Sequence, residues 1–321
     1  MISSVINFFR ENLGIIIGLI ILCTIITIVN PVFLTTPNLM NVFRQITTNL
    51  YLALAMTFII ILGGIDLSVG SVIALTGVVT TMAIAILGLP IYAAVGLGLL
   101  SGTLIGAVSG YFAASTPIPP FIITLAMMNV VRGLAYILTD GSPVRVMDPA
   151  FNFIGSGHIG FLPMPVLYLI IFVIICYFIM NKTKLGRYIY AVGGNIEAAR
   201  FSGINIKRVK FFAYTFSGFM AAFAGVVLAS RMFSGQPTAG TGAELDAIAS
   251  VVLGGTSMSG GIGKIGGTVI GALIIGVLNN GLNLMGVSSF WQIVIKGIVI
   301  LVAVYADVLK RKKAGSATLA A

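Results

Sequence analysis

Apolar runs of membrane length alternate with short polar breaks along almost the whole chain. They occupy residues 14–29, 46–62, 69–87, 90–114, 119–138, 163–180, 211–229, 245–256, 266–285 and 290–306. A helix needs about 20 apolar residues to cross a bilayer, and most of these runs meet or approach that length. The pattern predicts an all-α polytopic membrane protein with about ten transmembrane helices, some broken or short. The run at 245–256 has only twelve residues. It reads either as a full crossing helped by its Gly-rich flank or as a re-entrant half-helix. Polar connectors are expected up to about residue 45, over 139–162 and, most extensively, over 181–210.

Composition fixes the class. Hydrophobic residues make up 58% of the 321 and charged residues 8%, against about a quarter charged in a soluble globule. The net charge of +10 sits in connectors rather than on a folded basic face, which excludes a nucleic-acid partner. Ten crossings put both termini in the cytoplasm, with thirteen of the eighteen Lys and Arg on that side: Arg10, seven in the 181–210 segment, Lys264 and Lys310, Arg311, Lys312 and Lys313. Only Arg44, Arg145 and Arg231 fall in connectors assigned outside, as the positive-inside rule requires. A re-entrant 245–256 would move the basic tail outside, so the full crossing fits better. The first run is long for a signal peptide and lacks a small-residue cleavage site, so it reads as an uncleaved span. The expected location is a bacterial cytoplasmic (inner) membrane, in a lipid bilayer, as one permease domain over 1–321.

The 181–210 segment holds a short helix signal. Asn195 is a good N-cap, Glu197 suits the positive end of the helix dipole, and Gly203 can close the C-terminus. Between them Ala198, Ala199 and Ser202 have little bulk, so a partner's surface could close over them. A surface helix held by lipid headgroups on basic loops is the alternative.

Glycine contributes 39 residues, many inside the spans, as at 97–110 and 266–276. Small residues let transmembrane helices approach closely. Leu62-Gly63-Gly64 and Leu253-Gly254-Gly255 recur 191 residues apart, with Ser68 and Ser259 at the same offset, a short internal repeat. Gly261-Ile262-Gly263-Lys264-Ile265-Gly266 matches the dinucleotide pattern, but no strand precedes it. As a P-loop it fails, with Met258 in the place of the first glycine and Ile265 in that of the closing Ser or Thr. Cys23, Cys176 and the lone His158 suggest neither a disulfide framework nor a metal site. The eight carboxylates form no visible catalytic constellation.

Several motifs together resemble the sugar permeases of ATP-binding-cassette importers. They are Gly64-Ile65-Asp66-Leu67-Ser68-Val69-Gly70-Ser71, Gly193-Gly194-Asn195 through Arg200 with Ser202-Gly203-Ile204, and Gln236-Pro237-Thr238-Ala239-Gly240-Thr241-Gly242. Glu244 to Ala249, Val252 to Thr256 and Asn279 to Leu284 continue the likeness, which runs from about residue 38 to 304. The family carries ribose, xylose, galactose and autoinducer-2, and the resemblance points first to D-ribose. It implies two copies of the chain, an extracytoplasmic sugar-binding protein and a cytoplasmic ATPase that holds ATP and Mg, with no cofactor on this chain and no catalytic residue. It also implies that Asn195, Glu197, Ala198, Ala199, Arg200, Ser202 and Gly203 form the helix that couples to the ATPase.

On that expectation Asn279 and Asn283, four apart on one helix face, with Asn280 beside them, are candidates for the passage wall. Interhelical hydrogen bonding is the alternative role. Asp66 is expected to cap the third span, and with Ser68 is a further passage candidate. Arg132 and Lys296 lie within spans, with Asp246 a possible partner for either. Asp140, Arg145, Asp148, Arg231 and Glu244 are candidates for docking a binding protein, or are ordinary solvated charges. A self-sufficient carrier or channel is the rival class. It would favour an intramembrane carboxylate relay, for which the central spans offer few acids.

Overall fold

The computed structural model describes residues 2–319, with side chains from 12 to 305 and at Leu309. Arg10, Lys310, Arg311, Lys312 and Lys313, part of the expected cation asymmetry, lie outside the described side chains. The helices run α1 Ile2–Val29, α2 Thr36–Ile61, α3 Val69–Ala85, α4 Ile91–Ser115, α5 Pro120–Thr139, α6 Pro149–Ser156 and α7 Met164–Lys182. They continue as α8 Lys184–Gly194, α9 Ile196–Phe201, α10 Ile206–Arg231, α11 Ala243–Leu253, α12 Ile265–Leu284 and α13 Ser289–Leu319. Among the described residues seven helices are long and apolar enough to cross a membrane: α1, α2, α4, α5, α7, α10 and α12. Two shorter apolar helices, α3 and the Ser289–Tyr305 part of α13, join them. The all-α polytopic class is thereby established.

Helix α2 is the centre of the bundle. Every residue from 50 to 61 is buried, the mark of a helix apolar all round and enclosed by others. Helices α7, α10, α11 and α12 surround it. The Tyr51 ring meets Phe172 and Phe223 edge-on at 5.9 and 5.2 Å, and its hydroxyl donates to the Pro165 carbonyl.

Glycine spacing explains the second packing unit. Gly98, Gly102, Gly106 and Gly110 repeat every four residues on α4, so they share one face. A Cβ on Gly102 would strike Ala222, and one on Gly106 would strike Gly218 and the Tyr214 carbonyl, all on α10. The packing anticipated for 97–110 is therefore real, and its partner is α10.

Several boundaries depart from the sequence pattern. The connector before residue 45 is mostly helix, because α2 starts at Thr36 with Pro37 at its first turn, where a missing N–H costs nothing. The polar loop after α5 is folded. Strand β1 (Val144–Arg145) pairs antiparallel with β4 (Ser234–Gly235), α6 follows, and β2 (His158–Ile159) pairs with β3 (Leu162–Pro163). The basic segment contains α8 as well as α9, an eleven-residue helix hidden by its glycines.

The largest departure concerns the run at 245–256. Helix α11 has 11 residues, about 16 Å at 1.5 Å per residue, half of what a crossing needs. Before it, the chain from 232 to 242 descends along α3 without forming a helix. Gly235 lies against Thr81 and Gly77, and Gly240 lies against Gly70 and Ile73. That descent covers eleven residues of α3, again about 16 Å. The run is thus a half-length helix preceded by a non-helical leg packed along α3. Irregular backbone is tolerated at membrane depth where protein covers it.

The internal repeat also needs correction. Both α2 and α11 end in the same turn. Gly63 (φ 77°) donates to the Ile60 carbonyl and Gly64 to Ile59, while Gly255 (φ 81°) donates to Val252 and Thr256 to Val251. The left-handed position that only glycine adopts cheaply is thus Gly63 in one case and Gly255 in the other, 192 residues apart rather than 191. Ser68 is the N-cap residue of α3, whereas Ser259 lies five residues ahead of Lys264, the N-cap of α12.

Candidate functional site

At the end of the bundle that carries the basic segment, α8, which leads into α9, meets the two helix breaks. Asn195 caps α9, its side-chain oxygen accepting from the Ala198 N–H at 3.0 Å. At the other end Gly203 (φ 77°) donates to Arg200 and Ile204 to Ala199, closing the helix as the sequence anticipates. Ser202 donates to the Ala198 carbonyl at 2.9 Å, and Glu197 pairs with Arg200 at 3.2 Å across the exposed surface. The small residues divide. Ala198 and Ser202 are exposed, but Ala199 turns inward and is 3% exposed, packed into the main core. Ala199 is the buried residue of this six-residue helix, and its exposed surface presents Phe201, 88% exposed.

At the end of α8, just ahead of α9, the contact is backbone on backbone. Gly193 sits against the Ile61 carbonyl at the end of α2 and the Gly261 N–H, so any side chain there would collide with both. The Gly261 N–H donates to the same Ile61 carbonyl at 2.8 Å. The Tyr190 hydroxyl donates to the Gly263 carbonyl at 2.8 Å, and burial pushes its phenol pKa up, so it stays a donor. The segment that holds α9 is therefore wedged between the break after α2 and the break after α11. Sequence reasoning missed this; the glycines were legible, their meeting was not.

In the first break, Asp66 is buried but is not the N-cap of α3. Ser68 occupies that position, and Asp66 accepts from the Ser68 N–H (3.0 Å), the Ser68 hydroxyl (2.6 Å) and Ser217 on α10 (2.8 Å). The carboxylate fastens the break to α10.

The three asparagines of α12 separate. Asn280 is 4% exposed and exchanges two hydrogen bonds of 3.0 Å with Asn38 of α2. Asn283 is exposed and accepts from Gln292 at 2.8 Å. The Asn279 side-chain oxygen is buried without a hydrogen-bond partner.

The intramembrane cations find different partners. Lys296 pairs with Asp246 at 3.0 Å, one of the pairings anticipated. Arg132 instead donates twice, to the Pro237 and Ala239 carbonyls at 2.7 Å each. It thereby satisfies carbonyls that the non-helical leg leaves without helix partners.

Of the charges read as a docking set, Asp140 and Arg145 are exposed, Asp140 closing α5 in a left-handed conformation. Asp148 caps α6 through the Ala150 and Phe151 N–H groups. Arg231 is half-buried and donates to the Arg44 carbonyl at 2.9 Å. Glu244 lies in the first turn of α11, half-buried beside Gly70 of α3.

Residues 38–304 match the protein family described as branched-chain amino acid transport system, permease component. The chain is 47% identical to the ribose import permease protein RbsC of Haemophilus influenzae over 295 residues, 91% of each chain. It is also 47% identical to the protein of that name from Bacillus subtilis, over 94% of each chain. The xylose transport system permease protein XylH of Escherichia coli is 35% identical, over 88% of this chain and 87% of its own. No solved structure matches the chain.

Proposed function

The chain belongs to this permease family, and from that premise we propose that it is the membrane-spanning subunit of an ATP-binding-cassette importer that carries D-ribose into the cytoplasm. The observation that carries the substrate is the 47% identity, over more than nine-tenths of each chain, to two ribose import permeases. The whole of 1–321 acts as one permease unit in the cytoplasmic membrane, with residues 181–210 as its coupling segment, both termini inside and ten crossings when the leg and α11 count as one. Two copies stand side by side. ATP and Mg are held by a separate ATPase, and a sugar-binding protein delivers the substrate from outside.

The basic segment's position supports a route for energy coupling. The ATPase grips α9 on Phe201, Ala198 and Ser202, with Asn195 and Gly203 setting its ends and the Glu197–Arg200 pair on its flank. Because Gly193 touches the end of α2 and the loop after α11 directly, a displacement of α9 reaches both breaks without passing through flexible side chains. Packed backbone transmits such a push as a discrete shift between two arrangements. Outside, Asp140 and Arg145 meet the binding protein, while Asp148 and Arg231 hold the surface they stand on. Asn279 and Asn283 sit near the outer mouth of the passage, and Asn280, Asp66 and Ser68 hold its supports.

Uptake tests the function. Purified chain, ATPase and binding protein in proteoliposomes should accumulate radiolabelled ribose when ATP is supplied on the ATPase side. Accumulation without ATPase, or of other solutes but no pentose, would reject it.

A further inference from the structure

The outward faces of α4 and α7 show what lipid demands: Leu97, Leu100, Leu104 and Val108 on one, Ile170, Ile171, Ile174 and Phe178 on the other. The face made by α5, the leg and the start of α11 is mixed: Ile122, Leu125 and Leu245 are exposed on it, and polar groups stand among them. Asn129 is exposed nine residues into a 20-residue apolar helix. Its amide N–H donates to the Leu125 carbonyl of its own helix at 3.1 Å. Arg132, one turn on, clamps the leg through the Pro237 and Ala239 carbonyls. Thr238 and Thr241 are exposed on that leg, with the Thr241 hydroxyl donating to the Thr238 carbonyl at 2.8 Å. Glu244 follows, half-buried, close enough to Arg132 to feel its charge.

Exposed polar atoms at this depth would be costly against hydrocarbon and mark a water-filled or protein-covered surface. Hydroxyl and amide groups presented by an unwound crossing are also what transient recognition of a polyol needs: donors and acceptors with no tight pocket. We propose that Asn129, Thr238, Thr241 and Glu244 form the contact surface for the passing sugar's hydroxyl groups, on a face that a second copy of this chain closes into an aqueous passage. Arg132 holds the leg in place for that contact. The inference rests on the transport function proposed above and assigns it a site.

The test is water access within the assembled importer in proteoliposomes, in a Cys23→Ala, Cys176→Ala background. Asn129→Cys and Thr241→Cys should react with a small charged thiol reagent at least tenfold faster than Ile174→Cys on the lipid wall. Saturating ribose with binding protein present should slow that reaction. In parallel, Thr241→Val should lower ribose uptake about fivefold, the worth of one hydrogen bond, with the affinity of the binding protein and the ATPase association unchanged. Labelling of positions 129 and 241 no faster than 174, or full uptake by a Thr238→Val, Thr241→Val double variant, would overturn the assignment. Failure of the unmodified importer to move ribose would instead reject the transport function and is scored separately.

Discussion

At Ala199 and Phe201, two residues apart, the same short helix makes opposite demands. Ala199 is 3% exposed and packs against this chain's own core, whereas Phe201 is 88% exposed. Ala199→Arg should therefore reduce the yield and melting temperature of the isolated permease, because an unpaired charge buried there costs several kcal/mol. Phe201→Ala should fold normally yet lose most co-purification with the ATPase. Undiminished co-purification would remove Phe201 from the interface. The Asn38–Asn280 pair offers a second residue-scale measurement. A double-mutant cycle with Leu at both positions should return a coupling of about 0.6 kcal/mol, the membrane average, and no more than about 1.7. A coupling of zero would mean that the two bonds of 3.0 Å contribute nothing net.

Among the elements, α4 and α10 pack closely enough that one methyl group is too many. Gly102 faces Ala222, Thr76 and Val72, while Gly96 on the same helix has nothing within 4 Å. Gly102→Leu should destabilise the detergent-solubilised protein by about 3 kcal/mol or more, since overpacking a tight interface forces the helices apart. Gly96→Leu should stay within about 0.5 kcal/mol of the parent, as surface changes do. Thermal unfolding of the two variants compares them directly, and equal losses would show that α4 is not held by its glycine face. The leg and α11 form the other decisive element. Arg132 replaces there the helix partners that the Pro237 and Ala239 carbonyls lack.

For the whole molecule, the proposed orientation turns on which side of the membrane the basic segment lies. Ser142 and Ser202 are both exposed, so access from one side of the membrane, not burial, decides their labelling. In intact cells an impermeant reagent should modify Ser142→Cys and leave Ser202→Cys untouched until the membrane is opened. Equal labelling of both would overturn the assignment of the 181–210 segment to the cytoplasm.

Periodicity and composition by themselves determined the helical membrane class, because apolar length is a local property that bilayer thickness reads directly. They also located the caps of α9, since Asn195 and Gly203 act through bonds to their own helix. The motif spacing that marks the permease family was legible for the same reason, being written in consecutive residues. What the sequence left open depended on partners far along the chain. Nothing local tells that Asn280 meets Asn38 or that Gly193 abuts the end of α2. Nor does it tell that Arg132 serves carbonyls 105 and 107 residues away. The run at 245–256 left a full crossing and a re-entrant half-helix open, because hydropathy counts apolar residues without seeing the non-helical backbone that leads into its 11-residue helix. Only the packing of that backbone against α3 and α5 shows how its polar groups are accommodated.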